Sequence, residues 1–156
     1  MWNEFFRALS GPSNYIKSKK KDGYDFYLAG SMRGIPQLNK PMFTLVARLL
    51  REKGFTIWSP AEHGSYLESS FAECMIRDLD AIINKCNGIA LLPDWRKSLG
   101  TNAETFSAFV CGKKAVRIIL NKNETDVGLI PFNLTRYCLP YQHKLQCRQF
   151  DPHTSE

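Results

Sequence analysis

Three short clusters in this chain of 156 residues combine side chains able to do chemistry at close spacing. The first is Tyr27-Leu28-Ala29-Gly30-Ser31-Met32-Arg33-Gly34. Its glycines bracket a serine and an arginine. Glycine permits a tight turn and close backbone approach, hydroxyl and amide groups bind anions, and a guanidinium clamps phosphate. The same residues equally make a plain turn with a surface arginine, and the pattern is not the GxGxxG of a dinucleotide site. The second cluster, Ser98-Leu99-Gly100-Thr101-Asn102-Ala103-Glu104, puts small polar residues where a helix should begin. Exposed amides there form an anion site, and the helix dipole favours an ionised Glu104, the form a nucleophilic carboxylate needs. Alternatively, Thr101 caps the helix and Glu104, three residues on, completes a capping box. The third cluster is Arg77-Asp78-Leu79-Asp80: a solvated helix face, or one that sets Asp78 at the edge of a cleft beside the apolar Leu79. Asp94-Trp95 offers a ring that either stacks on a base or caps the core.

The elements that must position these clusters follow from periodicity. Tyr24 to Ala29 reads as a strand running into the Gly30–Gly34 loop. Pro41 to Lys53 predicts a helix, with Phe43, Val46, Ala47, Leu49 and Leu50 on one face, Pro41 in the first turn and Gly54 as the stop. Phe55 to Trp58 predicts a second strand, ended by Ser59-Pro60. Phe71 to Lys85 predicts a helix whose stripe is Met75, Leu79, Ile82 and Ile83. Gly88 to Leu92 is apolar enough for a strand covered on both faces. Gly100 to Val110 predicts a helix closed by Gly112, and Ala115 to Ile119 a fourth strand. This alternation predicts a single α/β domain: a doubly wound, mostly parallel sheet of four or five strands, Rossmann-like or flavodoxin-like, with ligands at the carboxyl ends of its strands. Residues 1–23 form a basic leader, 24–119 the core, and 120–156 a C-terminal extension. In that extension Leu129–Phe132 and Tyr137–Tyr141 read as short strands or irregular cover, and Phe150–Glu156 as a frayed tail.

Composition excludes several classes. The hydrophobic fraction of 44% and charged fraction of 23% are those of a globular domain. No apolar run reaches the 18 residues of a membrane span, and the opening MWNEFFRALSG lacks the basic and apolar regions of a secretory signal. Cys74, Cys86, Cys111, Cys138 and Cys147 are odd in number without a CxxC pair, which predicts buried free thiols in a reducing, cytoplasmic setting. His63, His143 and His153 show no HxxxH or HExxH spacing, so a metal site is not expected. GxSxG and P-loop motifs are absent. Half of the net charge of +6 comes from the leader, where Arg7, Lys17, Lys19, Lys20 and Lys21 face Glu4 and Asp22. Without interleaved aromatics, that run reads as a solvated segment rather than a nucleic-acid site, although a basic chain steers acidic small ligands toward itself.

Taken in order, YLAGSMRG, DLDAIINKCNGIALLP and SLGTNAETFSAFVCGK resemble the nucleoside 2-deoxyribosyltransferase superfamily over residues 24–119. The 2'-deoxynucleoside 5'-phosphate N-hydrolases and the related phage proteins form the most similar branch. The resemblance implies that Glu104 attacks the anomeric carbon, Asp78 assists departure of the base, and Tyr27 holds the nucleophile. Gly30, Ser31, Arg33, Gly34, Ser98 and Gly100 would surround the sugar and 5'-phosphate, with Asp94, Trp95 and Asn102 adding to the pocket; Asn102 stands where related hydrolases often carry glycine. The implied reaction is hydrolysis of the base–sugar bond of a (deoxy)nucleoside 5'-monophosphate through a covalent glycosyl-carboxylate, without a cofactor, in a homodimer or larger homo-oligomer whose neighbouring subunit completes the pocket. Alternatives are exchange of bases between deoxyribosyl donors and a nucleotide-binding module without turnover. Gly100-Thr101-Asn102-Ala103-Glu104 also fits the GTxxE of lysine-decarboxylase-like phosphoribohydrolases, but Ser98-Leu99-Gly100 does not supply their preceding PGG. A scaffold whose leader binds nucleic acid is a further reading.

Overall fold

Strand β1 (Tyr24–Ala29) shows how the sheet is covered. Side chains alternate across a strand, so Phe26 and Leu28 enter one hydrophobic layer while Tyr27 and Ala29 enter the other. A computed structural model describes residues 23–63 and 69–138. The leader up to residue 22, the residues from Leu139 onward, and with them His143, Cys147, His153 and the predicted tail, lie outside the described residues.

After β1 come helix α1 (Lys40–Glu52), strand β2 (Ile57–Trp58), helix α2 (Phe71–Asp80), strand β3 (Cys86–Leu91), helix α3 (Leu99–Val110), and strands β4 (Lys114–Leu120) and β5 (Val127–Phe132). The sheet order is β2-β1-β3-β4-β5, parallel through β4 and antiparallel at β5. This is a single doubly wound α/β domain, flavodoxin-like in strand order. Helix α1 packs Phe43, Val46 and Leu50 on the Phe26 layer. Ala81, Ile82 and Ala108, from the other two helical segments, cover the Tyr27 layer. The chain thus leaves β1 toward β2 on one side and returns to β3 on the other, which opens a crevice at the carboxyl ends of β1 and β3.

Several boundaries differ from the sequence reading, each for a local reason. Phe55 and Thr56 do not join β2; the Thr56 amide and hydroxyl instead donate to the Asp25 carboxylate at 2.7 and 2.8 Å. Helix α2 begins with a capping box between Ser70 and Glu73 and widens into a π-type turn over Ala81–Lys85. Its inward face is Cys74, Asp78, Ala81 and Ile82, whereas Ile83 is exposed. The buried stripe therefore runs through Asp78 rather than Leu79. Ser98, not Thr101, caps α3 by accepting from the Thr101 amide at 3.2 Å. Leu129–Phe132 belongs to β5, and residues 134–138 are helical. Cys74, Cys86 and Cys138 are buried as free thiols, but Cys111 is exposed just beyond α3. Among the described residues, no helix is long and apolar enough to cross a membrane.

The loop after β1 is held by unusual backbone. Gln37, Leu38 and Asn39 are all left-handed, with φ of 53°, 53° and 55°, a conformation non-glycine residues rarely adopt. Asn39 nevertheless donates its side-chain amide to the Ser31 carbonyl at 2.9 Å, tying the start of α1 to the glycine-flanked loop.

Candidate functional site

Glu104 stands on the inward face of α3 with Thr101, Thr105 and Ala108, at the i, i+3, i+4, i+7 spacing of one helical stripe. It is 6% exposed. Beneath it the Tyr27 hydroxyl, coming from β1, donates to Glu104 Oε1 at 2.9 Å. Tyr27 is itself fixed by stacking on Trp58 (centroids 5.1 Å apart), and Trp58 stacks on His63 at 4.4 Å. Across from α3, helix α2 brings in Asp78, 4% exposed. Arg77 reaches Asp78 Oδ1 with Nε at 3.1 Å and Nη2 at 3.0 Å, a charge-assisted contact.

These groups share a cleft of about 400 Å³ at the crevice between β1 and β3. Its walls come from the β1 loop (Gly30, Ser31, Arg33), the start of α2 (Phe71, Cys74, Met75) and the start of α3 (Ser98, Leu99, Gly100). The cleft thus gathers Tyr27, Gly30, Ser31, Arg33, Asp78, Ser98, Gly100 and Glu104 from three separate stretches of sequence. Four other candidates lie elsewhere. Gly34 has φ of 80° and serves the turn beyond the loop. Trp95 is buried edge-on against Phe132 and Tyr137, the arrangement of a core cap. Asp94 pairs with Lys97 at 3.2 Å. Asn102 donates to the Arg96 carbonyl at 3.0 Å and accepts from the Tyr137 hydroxyl at 3.1 Å. Its amide is committed to the C-terminal cover and not to the cleft.

The cleft also contains residues the sequence reading missed: Lys97, Thr101, Phe71, Met75 and Cys74. Phe71 and Met75 lie one helical turn apart at the start of α2, and that spacing ahead of Asp78 was a signal available in the sequence.

The electrostatics reverse one expectation. Glu104 lies in the second turn of α3, beyond the strongest reach of the dipole. Burial, followed by the negative charge of Asp78, pushes its carboxyl from an ordinary 4.5 up to about 8, against the opposing pull of the Tyr27 hydrogen bond. Glu104 therefore rests protonated at neutral pH. Arg33 crosses the mouth, donating to the Ser69 carbonyl at 3.3 Å and lying 5.7 Å from the Phe71 ring centre. It has no carboxylate partner among the described residues. The Ser31 hydroxyl is buried and has no hydrogen-bond partner among the described residues. Among the described residues, no group of three or more His, Cys, Asp or Glu could hold a metal ion.

Fold and site together define a doubly wound α/β protein with a buried carboxyl pair at its switch point and, at the rim, an arginine with no carboxylate partner among the described residues. The chain belongs to DUF4406, a domain of unknown function, whose match spans residues 24–117, more than half of the sequence. No curated protein matches it.

Proposed function

We propose that this protein is an N-glycosidase that hydrolyses the base–sugar bond of a (deoxy)nucleoside 5'-monophosphate, in the manner of the nucleoside 2-deoxyribosyltransferase superfamily that residues 24–119 resemble. One observation carries the reading: a buried glutamate, hydrogen-bonded by Tyr27, shares a cleft with a second buried acid, Asp78.

Two facing carboxyls cannot both ionise easily, so the pair retains a proton at neutral pH. Glu104 passes its proton to Asp78, and as the C1'–N bond lengthens its electron pair passes to the base, which takes that proton from Asp78. Positive charge developing at C1' favours ionised Glu104, with Tyr27 supporting the anion. Glu104 then bonds to C1', as in retaining glycosidases. Water attacks C1' from the vacated side, Asp78 accepts its proton, and the C1'–Glu104 bond breaks to release the sugar phosphate. Arg33, which has no carboxylate partner among the described residues, the Ser31 hydroxyl and Lys97 suit a phosphate, whose binding would align the sugar for attack.

The test is a panel of nucleoside 5'-monophosphates analysed by chromatography for free base, with and without a second base as acceptor. Release without an acceptor supports hydrolysis; an exchanged nucleotide moves the reading to base transfer. Tight calorimetric binding with no base released would make the protein a silent binding module and overturn the proposal. Arg33→Gln should raise KM for the monophosphate about 10-fold or more, with little effect on the parent nucleoside.

The proton on the carboxyl pair sets a pH dependence. Base release should fall as pH rises above about 8, where that proton is lost. Tyr27→Phe removes the hydrogen bond that stabilises ionised Glu104. It should move this alkaline limb upward and reduce kcat by about 10- to 100-fold. Rate–pH profiles of the two proteins check both effects.

Phe71 and Leu99 stand at the cleft mouth 52% and 85% exposed. Large apolar side chains so placed suit a neighbouring subunit, and on this reading the enzyme works as a homodimer or larger homo-oligomer. Sedimentation analysis of wild type and Leu99→Glu tests this, the variant being expected to dissociate.

A further inference from the structure

A second cavity, of about 390 Å³, opens at the carboxyl ends of β3 and β4. It is separated from the Glu104 cleft by the 93–98 segment, and Lys97 lines both. Its walls are apolar where they meet the sheet, at Leu91, Leu92, Ile118 and Ile119. Its rim carries three cations, Arg96, Lys97 and Arg117, against a single acid, Asp94. That acid is already matched by Lys97 at 3.2 Å. Arg96 and Arg117 have no carboxylate partner among the described residues.

Each arginine has a defined origin. Arg117 projects from β4, in register with Leu91 of β3, which places it over the strand ends. Arg96 lies against two rings, 5.4 Å from the centres of both Trp95 and Tyr137. Contact with the aromatic faces orients the guanidinium plane and leaves its N–H edges for a ligand. Two unmatched guanidiniums around one cavity repel each other, and an anion between them relieves that repulsion. The volume is that of a small-molecule site.

We propose that this cavity binds a small phosphate ester, with the phosphate held by Arg96 and Arg117 and the organic part against the apolar floor. The site is distinct from the Tyr27–Glu104 cleft and does not depend on what that cleft does.

Calorimetric titration of the full chain with inorganic pyrophosphate tests the proposal, using wild type, the Arg96→Gln/Arg117→Gln double variant and Arg33→Gln. Wild type should bind pyrophosphate at a class of site that requires Arg96 and Arg117, whether or not the Glu104 cleft adds a second. The double variant should lose one class by at least 10-fold, and Arg33→Gln should leave that class intact. Arg117→Gln alone, on an exposed strand position, should weaken the same class should the double variant fold poorly by circular dichroism. A nucleoside 5'-monophosphate in place of pyrophosphate shows whether an organic part adds affinity; the unphosphorylated nucleoside should show no dependence on either arginine. Unchanged pyrophosphate binding in the double and single variants, or loss of all binding in Arg33→Gln, would overturn the site. Base release is read separately, so failure of the glycosidase reading leaves this result interpretable.

Discussion

Glu104→Gln is expected to do two opposite things: abolish base release, by at least about 10³-fold, and make the fold more stable at pH 8. The loss follows from the proposed chemistry, because an amide neither bonds to C1' as a carboxylate does nor carries the exchangeable proton of the pair. The gain follows from burial. Glu104 in the folded protein keeps its proton up to about pH 8, whereas in the unfolded chain it ionises near 4.5. Below pH 4.5 both states are protonated and the group costs nothing. As pH rises from there toward 8 the unfolded state sheds a proton the folded state retains, so stability falls throughout that interval. Glutamine has no such titration, yet it still accepts from the Tyr27 hydroxyl and its NH2 can donate to Asp78. At pH 8 the variant should gain on the order of 2–5 kcal/mol, roughly 5–15 °C in Tm, and the difference should vanish near pH 4.5. Thermal melts of both proteins from pH 4.5 to 8.5 read this directly. Parallel curves would show that water reaches the carboxyl and that its burial is not what shifts it. A variant that still releases base would remove Glu104 from the chemistry.

The second large effect is expected at Gly30, where β1 gives way to the cleft loop. A Cβ on this residue would stand 2.7 Å from Leu92 Cδ1 and 2.9 Å from Leu92 Cβ. Leu92 cannot retreat easily: it is buried in the core, and its amide donates to the Ala29 carbonyl at 2.8 Å. Gly30→Ala should therefore destabilise the fold by about 1–3 kcal/mol through overpacking. The strain falls between the ends of β1 and β3, so Ser31 and Arg33 should shift with it and KM should rise. Leu92→Ala removes the colliding atoms at the cost of a cavity. In the double variant the two losses should be less than additive by about 1 kcal/mol or more, measured by denaturant unfolding. Strict additivity would mean that the loop absorbs the methyl without pressing on Leu92.

Strong local signals carried most of the architecture. The apolar face of α1, the continuous apolar run of β3 and the alternation of strands with helices each reflect burial against a covered sheet, which hydrophobic spacing reports. Boundaries were less legible where side chains compete with backbone pairing. Thr56 donates to Asp25 and leaves only Ile57 and Trp58 in β2, and Ser98 takes the capping role that Thr101 could equally have filled. Both outcomes depend on partners that are distant in the chain or conformationally equivalent in sequence.

For the site, residue type and spacing offered Asp78 and Glu104 only beside plain structural readings, a solvated face and a capping box, and the roles given to Tyr27, Asp78 and Glu104 came from the family resemblance. Their charge state was another matter. From the sequence, Glu104 at a helix start was expected to be ionised; in the fold it lies a turn deeper, enclosed beside another acid, and holds its proton. Trp95 and Asn102 show the same limit, since the residues that engage them, Phe132 and Tyr137, lie some 35 residues further along the chain. Spacing records which face of an element a side chain occupies. Desolvation and the field of neighbouring charges arise only when separate elements pack, and those decided which acid is protonated, which arginines lack a carboxylate partner among the described residues and where the second cavity opens.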